Sequence, residues 1–164
     1  MFREMRRKSR GLSAEAALAL LESCEYGTLS TVGGDGWPYG VPVSHVVIGG
    51  KIYFHCAHEG QKTDNMLREP RVCFSVVGDI RAVYDDGFTT YYESAMVFGK
   101  AAVVSDESLK RRALLALCAK YLPDNIDKSS AGARAAADIE KDFPITAVYE
   151  ITPEHITGKA NAPK

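Results

Sequence analysis

Two hydrophobic rhythms alternate along the chain, and its elements change where one rhythm gives way to the other. Residues 14–23 follow helical spacing, with Leu18, Leu21 and Cys24 along one stripe. Ser13 is placed to cap that helix, and Glu15 suits its positive end. The period then shortens to that of strands. Residues 27–32 predict one strand, Gly33-Gly-Asp-Gly36 a tight turn, and residues 38–48 a second strand. Pro38 and Pro42 lack a backbone donor, so the second strand is expected at a sheet edge, or bent near its start. Gly49-Gly50 is a hairpin signal, and residues 51–57 predict the third strand.

Further on, a short helix over 62–68 is stopped by Pro70. Residues 72–77 are largely apolar and predict a fully buried strand. Residues 90–104 predict a long strand interrupted at Gly99, where a bulge or a close backbone approach is expected. Its aromatics, Tyr91, Tyr92 and Phe98, read as core residues. Asp106 is placed to cap a helix over 109–122, closed by Pro123. The Ala/Ser/Gly-rich stretch 129–142 predicts an irregular helix, residues 145–151 a last strand, and residues from His155 a polar tail. Hairpin-linked strands accompanied by helices argue for a mainly antiparallel sheet or small barrel. The strand–helix alternation of a dinucleotide fold is missing, as are its third glycine and the spacing of a P-loop.

Composition narrows the function classes. A length of 164 residues suits one domain, and a net charge of −1 gives no reason to expect nucleic acid or an anionic membrane as partner. No apolar run approaches the roughly 20 residues that span a bilayer. The four cysteines have neither zinc-ribbon nor disulfide spacing, which points to a reducing cytoplasm. Cys24, Cys73 and Cys118 read as small core residues. Arg3, Arg6, Arg7, Lys8 and Arg10 make residues 1–11 a basic arm, either solvated or docked on a partner.

Candidate chemistry gathers where the third strand runs into the short helix, from Ile52 to Lys62. Gly60 lets a ligand approach the backbone, the helix start offers free N–H groups, and Lys62 adds a charge. That is suitable chemistry for a phosphate, although a solvated lysine has the same pattern. His55 lies two residues from Tyr53 and shares its sheet face, either as a proton-handling group or as a hydrogen-bonded strand-end residue. His55 and His58 lack the further ligands of a metal site. Trp37 reads as stacking on a planar ligand or covering an apolar edge.

Five blocks taken together resemble the flavin-binding split-barrel family of the pyridoxamine 5′-phosphate oxidases, closest to its nitroimidazole-resistance branch. They are Glu25-Tyr-Gly-Thr-Leu-Ser-Thr31, Gly36-Trp-Pro-Tyr-Gly-Val-Pro-Val43, Ile52-Tyr-Phe-His-Cys-Ala57 with Gly60 and Lys62, Tyr92-Glu-Ser-Ala-Met-Val-Phe-Gly99, and His155-Ile-Thr-Gly-Lys159. The resemblance implies a six-stranded antiparallel split β-barrel with flanking helices over 1–164, with residues 105–142 a helical insertion. It implies a cytoplasmic homodimer with FMN at the interface. Val41, Pro42, Val43 and Ser44 would lie along the flavin ring, with His55, Cys56 and Ala57 lining the site. Gly60, Gln61 and Lys62 would hold the phosphate, and Ser94, Gly158 and Lys159 would come from the partner or the rim. His55 would act in reduction of a planar or nitroaromatic acceptor. A non-catalytic flavin- or haem-binding protein is the alternative. Vitamin B6 phosphate oxidation is a second one, disfavoured because the arginines of true oxidases are replaced here by Gly40-Val-Pro-Val-Ser44 and by His155 and Lys159.

Overall fold

The computed structural model describes residues 2–84, 87–122 and 128–162, the side chains of 128–131 excepted, so Pro123 lies outside the described residues. Its strands are β1 (Gly11–Leu12), β2 (Tyr26–Val32), β3 (Pro38–Ser44), β4 (Val46–Ile48), β5 (Lys51–Ala57), β6 (Arg71–Tyr84), β7 (Phe88–Val103) and β8 (Thr146–Asn161). The helices are α1 (Ala14–Ser23), α2 (Gln61–Arg68), α3 (Glu107–Tyr121) and α4 (Lys128–Asp142). Short 3₁₀ turns span Lys8–Arg10 and Phe143–Ile145.

All strand pairings are antiparallel, in the order β3-β2-β6-β7-β8-β5-β4, with β1 beside β8. The first and last strands of that order, β3 and β4, are consecutive in the chain and separated only by His45. The sheet therefore curls until its ends are linked covalently, leaving a seam where β3 diverges from β5. It is a split barrel. The sheet has eight strands. Six long runs account for it once β3 and β4 are taken as one interrupted run and the two-residue β1 is set aside. Pro42 stands opposite Thr28 on the edge strand β3, where a missing donor costs no ladder bond.

Two apolar layers follow from this curl. Inside the barrel Leu29, Ile52, Phe54, Phe74, Val76, Val97 and Ile151 pack together with Ala17 and Leu21 of α1. Outside it Val46, Tyr53, Val104 and Val148 are covered by Ala113, Leu114 and Leu117 of α3 and Ile139 of α4. Ser13 Oγ accepts from Ala16 N and Asp106 caps Leu109 N, as their positions predicted. The buried stripe of α1 is Ala17, Leu20 and Leu21, rotated from the expected one so that Leu18 and Cys24 sit at its margin.

Several sequence expectations are corrected by the one-sided burial of a curled sheet. Residues 72–77 are not fully buried. Val72, Phe74 and Val76 face the interior, while Cys73 and Ser75 are half-exposed and Val77 is exposed. In β7 the small Ala95 and Val97 point inward, Tyr92 and Phe98 are half-buried on the other face, and Tyr91 is half-buried near the strand's start. Among the cysteines Cys56 is the buried one, while Cys24 and Cys118 are half-buried against the core clusters and Cys73 is half-exposed. The polar tail from His155 is instead the second half of β8, paired with β7 through Ser94↔Lys159 and Phe98↔His155. That pairing shifts register between Phe98 and Gly99, where a side chain at Gly99 would collide with the Thr152 carbonyl. Trp37 does not cover an apolar edge, being 73% exposed at the β2–β3 turn.

Candidate functional site

The barrel seam holds a groove of about 460 Å³. One wall is β3, with Val41, Pro42, Val43 and Ser44. The other is the end of β5, with His55, Cys56 and Ala57. Lys62 closes one end, and Asp142, Ile145 and Thr146 complete the lining. Strand alternation explains who does what on β5. Ile52, Phe54 and Cys56 point into the barrel, so Tyr53, His55 and Ala57 point out. Cys56 borders the groove, but its side chain belongs to the core, and burial pushes its thiol up.

Helix α2 is fixed by the core residue Met66 and by two buried polar contacts. Asn65 Nδ2 donates to Thr31 Oγ1 at 2.9 Å, and Thr63 Oγ1 lies 4.0 Å from Cys56 Sγ. Both residues are buried and were not singled out in the sequence. Their positions one and three residues after Lys62 hold that lysine at the groove. None of the ion pairs among the described residues uses Lys62. Gly60, at φ 134°, precedes the helix in a conformation that L side chains rarely adopt, and it offers no side-chain cap. The first N–H groups of α2 are thereby left for solvent or a ligand. Gln61 opens the helix and is exposed.

His55 is reached from the groove, yet the surrounding walls still shield it. That shielding, and then the Lys62 charge, hold its pKa below the ordinary histidine value, so the ring is neutral at pH 7. A neutral imidazole has one N–H to donate and one nitrogen to accept. His58 is committed elsewhere, with Nε2 3.1 Å from the Pro144 carbonyl.

Ser94, Gly158 and Lys159 are not part of this groove. They line a separate cavity of about 320 Å³ on the β7–β8 face, under Phe2, Arg3 and Met5 of the basic arm. Phe2 stacks on His155 at 4.6 Å. Lys159 Nζ lies 5.6 Å over the Tyr92 ring and is the main cause of that phenol's lowered pKa. Gly158 also has a packing role, since a side chain there would press on Ala17 and Leu12. Lys159 stands eleven positions along β8 from Val148, which is opposite His55, roughly 35 Å of strand. One chain does not unite the two residue sets.

The seam also contains a group the sequence did not mark. His45, between β3 and β4, is fully buried, with Nε2 2.7 Å from the Leu21 carbonyl. Its Nδ1 is the buried side-chain atom among the described residues that lacks a partner. Burial holds its pKa down to about 4. Around it, Lys120 Nζ donates to the Cys24 and His45 carbonyls at 2.6 and 3.0 Å, and Tyr121 Oη accepts from His45 N at 3.0 Å. The end of α3 thus fastens the seam. Asp142, Ile145 and Thr146 were missed as well. The only signal for them is pairing, since Thr146 lies opposite Ala57 across β5 and β8.

A family model described as pyridoxamine 5′-phosphate oxidase matches residues 13–160. Among curated proteins no relative matches the sequence. A solved structure described as a candidate 5-nitroimidazole antibiotic resistance protein from Bacteroides thetaiotaomicron is similar at 22% identity and TM-score 0.73, over 92% of this chain and 86% of that one. The flavocytochrome Anf3 from Azotobacter vinelandii is similar at 17% identity and TM-score 0.76, over 98% and 73%. A FAD-binding protein from Mesorhizobium loti matches at 21% identity and TM-score 0.64, over 93% and 98%. At these identities the likeness bears on the fold.

Proposed function

We propose a flavin-dependent role for this chain, which belongs to the pyridoxamine 5′-phosphate oxidase family. In this reading it is an FMN-binding oxidoreductase that reduces a small planar or nitroaromatic acceptor, working as a homodimer in the cytoplasm. The observation that carries it is the seam groove, which brings the Val41 to Ser44 wall, His55, Ala57 and Lys62 around one space. An apolar wall suits a planar ring, while Lys62 and the uncapped start of α2 suit a phosphate. The donor set therefore fits FMN. When bound, FMN supplies the electron chemistry, and the protein supplies binding, orientation and protons.

Each residue then has a defined task. Lys62 neutralises the phosphate, and Gly60 keeps the approach to the helix start open. Backbone groups of Val41 to Ser44 hold the ring edge. His55 donates a hydrogen bond to the acceptor as a neutral imidazole and passes a proton on from solvent, because its lowered pKa leaves little imidazolium at pH 7. The homodimer is supported by the separation of the two residue sets: Ser94, Gly158 and Lys159 reach a groove only if a second copy brings them. Cytoplasmic placement rests on cysteines that are all unpaired. Among the described residues no helix is long and apolar enough to cross a membrane.

The test is the spectrum of the purified chain and its titration with FMN. Flavin absorption and quenched FMN fluorescence on binding are expected. A colourless protein that ignores FMN would sink the cofactor claim. A Soret band would favour the haem-binding reading, which the likeness to a flavocytochrome supports. With FMN loaded and reduced, His55→Ala is expected to slow turnover of a nitroarene by about 10²-fold at unchanged FMN affinity. Equal rates would leave His55 a structural residue.

A further inference from the structure

The two helices inserted between β7 and β8 do more than cover the sheet. Leu114 and Leu117 of α3, with Ala135 and Ile139 of α4, line an open cleft of about 640 Å³ over the outer face of β5. This cleft is on the scale of small-molecule sites. Three of its lining residues, His55, Asp142 and Thr146, also line the seam groove, so the two spaces meet there.

Charge is distributed unevenly along the joined space. Lys62 stands in the groove, whereas the cleft is lined by Arg134, Asp138 and Asp142. One positive and two negative groups leave the cleft wall formally one charge negative. Cys118, on the same wall, is kept a neutral thiol by burial and then by the Asp138 carboxylate. An anion entering the cleft would meet like charge, and a cation would lose hydration against leucine and isoleucine.

We propose that the α3–α4 cleft binds an uncharged, predominantly apolar organic molecule and presents its reactive end to the seam groove past His55 and Asp142. That the occupant is the electron acceptor rests on the flavin reading; that it binds there does not. The inserted helices are then the specificity element of the chain, and the barrel seam is its cofactor element.

Nitrobenzene and 4-nitrobenzoate are the probes, titrated calorimetrically into the chain with and without FMN. Nitrobenzene is expected to bind both forms, and the carboxylate at least about tenfold more weakly. Filling the cleft with Ala135→Trp is expected to weaken nitrobenzene about tenfold while FMN affinity stays unchanged. Ala135→Phe serves if the larger side chain prevents folding. Joint Asp138→Asn and Asp142→Asn replacement is expected to narrow the gap between the probes. Equal affinity for the carboxylate, or undiminished nitrobenzene binding by a folded filling variant, overturns the proposal. Failure to bind FMN with the nitrobenzene pattern intact would overturn the flavin reading alone and leave the cleft supported.

Discussion

The two faces of β5 are one residue apart and have opposite fates. Ile52, Phe54 and Cys56 are 1%, 0% and 9% exposed inside the barrel, whereas His55 and Ala57 open onto the seam groove. Tyr53 shares the outer face but is sealed under α3 and α4, its phenol pushed up to about 12 by burial and by Glu150. The difference shows how a barrel places chemistry: the inner face sets the register, and the outer face inherits its positions from it. A slip by one residue would bury His55 and expose Phe54. The hydrophobic demand of the core therefore fixes where a candidate functional group stands.

The sharpest way to break that comparison is to truncate one residue on each face. Phe54→Ala removes a fully buried ring stacked on Tyr149 and is expected to cost about 3–5 kcal/mol. His55→Ala is expected to stay within about 0.5 kcal/mol of the parent. Urea unfolding of both variants measures the contrast. Similar losses would mean that the outer position is structural and that His55 does not open onto the groove.

A second contrast pairs the two histidines of the seam. His55 is open, while His45 is sealed with its pKa near 4 against an ordinary 6.5. The unfolded chain binds a proton at His45 that the folded chain refuses between those values. Stability from this group is therefore complete above about pH 6.5 and is lost as pH falls toward about 4, by up to about 3 kcal/mol. His45→Gln, which keeps a donor for the Leu21 carbonyl, is expected to flatten that part of the stability–pH curve. A curve with the same slope in the variant would assign the acid sensitivity to another group.

Legibility in the sequence divides along the same line. Local signals stood where a turn or cap settles them: Ser13, Asp106, the Gly49-Gly50 hairpin and the Pro42 edge strand all appear at their expected positions. Burial was misread wherever it depended on which side of the curled sheet a residue faces. Residues 72–77 looked largely apolar, but the barrel has only one inside. The β8 extension was hidden because its second half is polar, and only its pairing with β7 makes it a strand. The groove residues on β3, β5 and α2 were readable as blocks. Asp142, Ile145 and Thr146 were not, since they reach the site through long-range pairing that no local pattern encodes. The His45 fastening by Lys120 and Tyr121 spans more than seventy residues and left no local trace either.

The smallest expected effect tests the end of the groove. Lys62 immediately precedes two pins, with Thr63 and Asn65 holding α2 against the barrel while its own side chain stays at the groove margin. Lys62→Ala keeps those pins, so stability is expected to change by no more than about 0.5 kcal/mol. Removing a cation from a phosphate is expected to weaken FMN by about tenfold, with the start of α2 retaining the remaining affinity. The loss is expected to shrink as salt rises, because an accessible charge pair is screened over about 8 Å at physiological ionic strength. Lys62→Arg keeps the charge and is expected to recover most of the binding. Fluorescence titration at two salt concentrations separates the outcomes. An affinity unchanged by Lys62→Ala at low salt would remove this lysine from the phosphate end, and with it the link between the polar pinning of α2 and the groove it closes.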